Sequence, residues 1–373
     1  MSQVLDLEII LTPPGKGKKQ SQALASIAVN CAALGMSHTG DLLADPLTEQ
    51  ERADLRWYLE EYWQWPFEGF AERARRIEDL LPELGKRLYE AVFGSKQADR
   101  IVQKWLATEG EHQISIISHL PRALSLPWEL LHSEQGYLVM RTLEPVSILR
   151  RLPQSEASTT TAPFEPPLRV LLVTARPQGT GFIDPRGIAR ELLDEVQEQS
   201  QAGAIELEFL RPPTLKALRQ KLRDKKRPVQ VLHFDGHGAF EEQQGTQDEH
   251  LLRGSQRGKL AFEDDTGNLD LVEADELAQV LLNSGVKLAV LTACQSAMGS
   301  AEDVFSSVAT RLIQGGIDAV VAMSASVLVA SATLYVEAFY HGIAAGIPIP
   351  TAQEQARQAL HDDPRRHLIR RKR

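Results

Sequence analysis

Apolar and polar side chains alternate with period two over residues 4 to 11, Leu5, Leu7 and Ile9 against Val4, Asp6 and Glu8. This is the pattern of a half-buried strand, and Pro13, Pro14 and Gly15 end it. At Thr48 the period lengthens. Thr48 with Glu51 three residues on has the form of a capping box, and Leu55, Leu59 and Tyr62 follow at helical spacing until Pro66. A second helical run covers about Glu68 to Phe93, with Pro82 expected to divide it, and a third covers Lys96 to Ala107. His112 to Ser118 reads as a strand. Beyond it come Leu126-Pro127-Trp128-Glu129-Leu130-Leu131 and short strands near Tyr137 to Met140 and Val146 to Leu149. The aromatic cluster Trp57, Tyr58, Tyr62, Trp63, Trp65, Phe67 and Phe70 is read as helix packing in preference to a binding platform.

Residues 153 to 167 carry no periodic apolar pattern and are dense in Ser, Thr and Pro, which reads as a linker. After it, strand and helix alternate. The strands are expected at Arg169 to Ala175, Ile205 to Arg211, Val229 to Asp235, Leu288 to Cys294 and Ala319 to Ser324. Helices are expected around 187–200, 214–224, 274–284, 303–314 and 327–344. That order implies βαβ units and a parallel sheet covered on both faces. Lys259 to Phe262 and Leu269 to Val272 form a hairpin across Asp-Asp-Thr-Gly-Asn. The chain therefore divides into an α+β region, residues 1–152, the linker, an α/β domain, residues 168–363, and a basic tail, residues 364–373.

Composition narrows the class. At 373 residues and 43% hydrophobic content the chain can bury a large core. A net charge of -9 gives no general footprint for nucleic acid, and the basic end, Arg365 to Arg373, reads as a solvated tail. Two cysteines, Cys31 and Cys294, exclude a disulfide framework and a four-cysteine zinc site. The N-terminus lacks a signal-peptide pattern, and no run reaches the ~18 apolar residues of a membrane span. The expectation is a cytoplasmic protein that binds neither nucleic acid nor membrane and uses no metal or other cofactor.

Two of the expected strands run into reactive side chains. His233-Phe234-Asp235-Gly236-His237-Gly238 closes one, and Thr292-Ala293-Cys294-Gln295-Ser296 closes the other. Ligands of parallel sheets bind outside the carboxyl ends of the strands, so neighbouring strands would bring His237 and Cys294 to one edge. Read alone, Cys294 is a small buried hydrophobe and His237 a loop histidine. Read together, a thiol beside an imidazole is the minimum apparatus for covalent acyl transfer, with Cys294 as nucleophile and His237 as base. Gly238, without a side chain, lets its amide approach a carbonyl oxygen, and with the Cys294 amide it can form an oxyanion hole. His233, in mid-strand, is expected to be a satisfied core or supporting histidine. Gly179-Thr180-Gly181 has a nucleotide-binding look, but Asp184 stands where the third glycine belongs and the second strand ends in Arg211. It is read as an ordinary loop.

A strand ending in His-Gly and a later one ending in Ala-Cys resemble the caspase and separase clan of cysteine proteases. Within it the chain is similar to the CHAT domain family. Three features carry the likeness: the His233–Gly238 block; the Thr292–Ser296 block with Val308-Ala309-Thr310-Arg311-Leu312-Ile313-Gln314-Gly315-Gly316-Ile317-Asp318-Ala319-Val320-Val321; and the Leu126–Leu131 motif. The resemblance implies a caspase-like, mainly parallel sheet flanked by helices and preceded by an α+β subdomain. It also implies a regulated cysteine endopeptidase with a Cys294–His237 dyad, acting on protein substrates in bacterial signalling, defence or cell death. A sensor or repeat-domain partner is implied as well. In the clan, the pocket for the residue before the cut corresponds to positions near Arg176, Thr292 and Ser324. Arg176 would favour an acidic side chain there and Asp184 a basic one. The chain departs from the family at Gln295, Ser296 and Ser324-Ala325-Ser326-Val327, all bordering that cleft. A catalytically inactive scaffold therefore stays open as the alternative, and a small-molecule thiol hydrolase is less favoured. Residues 239–258, a long polar stretch after the base, are expected to act as a lid.

Overall fold

The alternation of residues 4 to 11 becomes a strand, β1 (Val4–Thr12), which buries Leu5, Leu7, Ile9 and Leu11 on one face. The computed structural model describes residues 3–15, 23–62, 68–141, 145–153, 164–180, 190, 204–240, 258–292, 304–323 and 329–363. It divides into two compact units, Met1–Ser158 and Thr159–Arg373.

In the first unit, β1 is followed by β2 (Ala25–Cys31) and β3 (Met36–Leu43), an antiparallel meander. Thr48 caps α1 (Glu49–Arg56) through the full capping box with Glu51, and a π-helical turn, Trp57–Glu61, continues it. Then come α2 (Glu68–Phe93), α3 (Lys96–Leu106) and β4 (Glu111–Ser118). After α4 (Pro121–Leu124), a two-residue pair, β5 (His132–Ser133) and β6 (Gly136–Tyr137), leads to β7 (Ser147–Arg151). The sheet order is β3-β2-β1-β4-β7. α3 lays Ala98, Ile101, Val102 and Trp105 inward, and the Trp105 indole donates to the Leu5 carbonyl at 2.9 Å.

Two expectations are corrected here. Pro82 does not divide the second helical run, because α2 passes through it unbroken. An interior proline costs about 3 kcal/mol, and the apolar residues buried on both sides of it, Ala74 and Ile77 before, Leu84 and Leu88 after, hold the helix together. The stretch Tyr137–Met140 is strand only at Gly136–Tyr137, and Leu138–Met140 form a 3-10 turn that buries Leu138 and Val139. The aromatic residues that are described pack against one another. Trp57 lies 5.4 Å from Tyr62 and 5.6 Å from Phe70, with the Arg73 guanidinium 4.1 Å above its ring. Trp63, Trp65 and Phe67 lie outside the described residues.

The second unit is built on a five-stranded parallel sheet. In chain order its elements are β8 (Leu168–Thr174), β9 (Ile205–Phe209), α5 (Leu215–Lys221), β10 (Val231–Asp235), β11 (Gly238–Phe240), β12 (Gly258–Glu263), β13 (Leu269–Glu273), α6 (Ala274–Leu281), β14 (Leu288–Thr292), α7 (Val304–Gln314), β15 (Ala319–Ala322), α8 (Val329–Ala344) and α9 (Ile349–Asp362). The strand order is β15-β14-β10-β8-β9. Alternate residues of each strand enter two cores. Leu171, Val173, Leu232, Phe234, Ala289 and Leu291 pack with α5, α6, α7 and the β12–β13 hairpin. Val170, Leu172, Val231, Leu288 and Val290 pack with α8 and α9. Burial on both faces is why these strands read as continuous apolar runs. The architecture is the mainly parallel, helix-flanked sheet of caspase-like proteins, with an α+β unit before it. The linker segment 154–163, nearly all of the helix expected at 187–200, and the basic tail lie outside the described residues.

Candidate active site

β10 sits at the centre of the sheet, between β8 and β14. Its last residue, Asp235, pairs with Thr174 on one side and Thr292 on the other, so three polar side chains form one rung at the carboxyl edge. All three are buried. In the sequence, each of the three rung residues is followed by a small residue and then by a candidate site residue: Ala175-Arg176, Gly236-His237 and Ala293-Cys294. The ladder extends one step further, for the Ala175 amide donates to the Asp235 carbonyl at 3.0 Å and the Gly236 amide to the Thr292 carbonyl at 3.3 Å. Gly236 is tightly enclosed. A Cβ there would meet the Phe234 ring at 2.7 Å, a separation that real Cβ atoms essentially never show.

Beneath the rung lies a neutral histidine. His233 is fully buried between two hydroxyls, with Nε2 2.7 Å from Thr292 Oγ1 and Nδ1 3.1 Å from the Tyr340 hydroxyl. Thr292 Oγ1 is also 3.4 Å from the Phe234 carbonyl, which can only accept. The hydroxyl thus donates to Phe234 and accepts from Nε2–H, leaving Nδ1 to accept from Tyr340, whose ring stacks on the imidazole at 5.8 Å. Burial pulls the His233 pKa down to about 3 and pushes the Tyr340 hydroxyl far above its ordinary range. This is the supporting histidine expected from its mid-strand position. It joins β10, β14 and α8 directly under the strand ends.

His237 follows the rung and is 4% exposed. Its carbonyl accepts the Ala261 amide of β12 at 2.9 Å, anchoring the residue to the hairpin. Gly238 then pairs with Leu260 in antiparallel register. Because His237 and Ala261 form the hydrogen-bonded rung, Gly238 occupies the alternate kind, and its amide is directed off the β11–β12 ladder. At the two ends of the stretch 239–258, Ala239 and Phe240 belong to β11 and Gly258 starts β12. Residues 241–257 lie outside the described residues.

Among known protein families, residues 82–372 match the CHAT domain. The chain belongs to the CHAT domain family. That match begins inside α2 and so takes in parts of both units. CHAT domains are caspase-like, protease-related domains. A comparison with curated proteins finds no match.

The family's Leu126–Leu131 motif has a structural place in this CHAT domain. Trp128 is buried and its indole donates to the Ala123 carbonyl at 2.9 Å. Glu129 receives both Arg150 Nη atoms, at 2.7 and 2.9 Å, while Arg150 Nε donates to the Leu124 carbonyl. Of the pocket candidates, Thr292 is 2% exposed and turned to His233. The side chain of Arg176 is held at the rung. Its Nη2 lies 2.7 Å from Asp235 Oδ2, and Nη1 donates to the Asp235 carbonyl at 2.6 Å and the Ala175 carbonyl at 2.9 Å. Its amide donates to Glu263 Oε1 of β12 at 2.9 Å. Cys294, Gln295, Ser296, Asp184 and Ser324 lie outside the described residues. In the glycine turn, Thr180 Oγ1 donates to the Pro177 carbonyl at 2.8 Å and Gly179 has φ 84°, which suits an ordinary turn. Among the described residues no cluster of His, Cys, Asp and Glu could hold a metal ion, and no helix is long and apolar enough to cross a membrane.

The sequence reading did not find Asp235, Thr174 or Tyr340. For the first two a signal existed, the repeated ending polar, small, functional on three apolar strands. Tyr340 had none, because only the packing of α8 against β10 brings it under the site.

Proposed function

We propose that the chain is a regulated cysteine endopeptidase in which Cys294 is the nucleophile and His237 the general base. The observation that supports this is the register of β10 on β14: His237 and Cys294 each stand two residues beyond the Asp235–Thr292 rung. Adjacent parallel strands lie about 5 Å apart, and this spacing supports a reading in which an imidazole and a thiol that follow one rung come within reach of each other.

His237 takes the thiol proton, and the thiolate Sγ attacks the scissile carbonyl carbon. The oxygen, now negative, accepts from the amides of Gly238 and Cys294, each such donor contributing about 3 kcal/mol to the transition state. The protonated imidazole gives its proton to the leaving amine as the C–N bond breaks, leaving a thioester. Water, deprotonated by His237, then attacks that thioester and frees Cys294. The chemistry needs no cofactor. A thiol that must stay reduced fits the cytoplasm, and the substrates are proteins of a signalling, defence or cell-death pathway, with a sensor or repeat-domain partner controlling access.

The test compares wild type, Cys294→Ala and His237→Ala on candidate protein partners, alongside labelling by an electrophilic peptide. Discrete fragments from wild type alone, with label on Cys294, are expected. Equal cleavage by Cys294→Ala would refute the proposal, and a folded wild type that neither cleaves nor takes label would favour the inactive scaffold.

A further inference from the structure

The functional residue on the third of the aligned strand ends is Arg176. An arginine free at that position would favour an acidic substrate side chain, yet in this chain the guanidinium already meets a carboxylate. We propose that Arg176 is a positioning residue whose charge is committed to Asp235, tying the β8 end to the β10 end that carries His237, and that it is not a receptor for acidic substrate side chains. This deepens the peptidase reading of the carboxyl edge and rests on it for its consequence for substrates.

The geometry carries the assignment. Asp235 is 2% exposed and the Arg176 side chain 17%. One guanidinium nitrogen holds the carboxylate, and the other closes on the carbonyls of Ala175 and Asp235, so a single planar group bridges side chain and backbone of two strands. The Arg176 amide reaches Glu263 and adds the hairpin to the same junction. His237 follows two residues after Asp235, with its own carbonyl on that hairpin. The junction therefore holds the chain on both sides of the base.

An acidic substrate that took the Arg176 nitrogen facing Asp235 would have to displace that carboxylate. Breaking a buried pair by drawing away one partner is costly. A substrate carboxylate has no advantage over Asp235, which is already in place. The side chain before the cut is therefore not selected for negative charge by this arginine.

Two measurements test the assignment. First, thermal unfolding of the full chain is compared for wild type, Arg176→Met, Asp235→Asn and the double variant. Arg176→Met is expected to lower Tm by on the order of 5 °C, with at least half recovered when Asp235→Asn is added. A Tm within about 1 °C of wild type for Arg176→Met would overturn the pairing. Second, a peptide library cut by wild type is profiled at the position before the cut. Asp and Glu are expected at no more than the level of Asn and Gln. A tenfold preference for Asp or Glu that Arg176→Met abolishes would overturn the proposal even if the pair is stabilising. If no peptide is cut and Cys294 takes no label, the peptidase reading fails, and the unfolding cycle still decides the pairing.

Discussion

At the scale of single residues, the candidate site is set by where polar side chains interrupt buried strands. His233 illustrates this. Ionisation of an imidazole with no water around it is disfavoured, so its folded pKa falls to about 3 against an ordinary 6.5. The unfolded chain thus takes up a proton that the folded chain refuses. Stability is retained above about pH 6.5 and is lost as pH falls from there toward 3, at up to about 1.4 kcal/mol per pH unit for this residue. Urea unfolding at pH 7, 6 and 5 should show this slope, and His233→Gln, which cannot take the proton, should flatten it by that amount. Identical slopes for the two proteins would mean that His233 is not held neutral. The mid-strand position of His233 made its buried role legible in the sequence. Its partners were not legible, because Thr292 and Tyr340 are 59 and 107 residues away.

At the scale of elements, periodicity identified what it could reach. β1, α3, the β12–β13 hairpin and the strands of the parallel sheet lie where apolar spacing put them, since each turns apolar residues into a core, whereas α1, which buries none of its residues, was legible from its capping box. Two strands of the first unit's sheet were not read: β2, although Ala25, Ile27, Val29 and Cys31 alternate as its buried face, and β3, an edge strand with Ser37, Thr39, Gly40 and Asp41 among its residues. Pro82 misled because tertiary packing outweighs a local preference. α2 also carries Gly85, where a Cβ would lie 2.0 Å from the Leu130 carbonyl oxygen. Gly85→Ala improves helix propensity by about 1 kcal/mol, yet it should destabilise the protein by about 1–3 kcal/mol, because the helix must move off the turn that follows Trp128. A raised urea midpoint for this variant would contradict the close approach.

At the scale of the whole molecule, the second unit closes its own core. Both apolar clusters flanking the parallel sheet draw only on residues between Phe164 and Ala356. A fragment comprising Thr159–Arg373 should therefore melt cooperatively by itself, and the absence of any cooperative transition by circular dichroism would show that its core is incomplete. By itself the sequence determined the fold class and the strand–helix alternation, because burial on both faces of a sheet writes itself as unbroken apolar runs. Only the tertiary structure decided that β10 lies between β8 and β14 in a register that aligns Thr174, Asp235 and Thr292. With that came the ion pair of Arg176 and the hydroxyls around His233. Strand order and register depend on which distant segments pair, and no local pattern of residues encodes that choice.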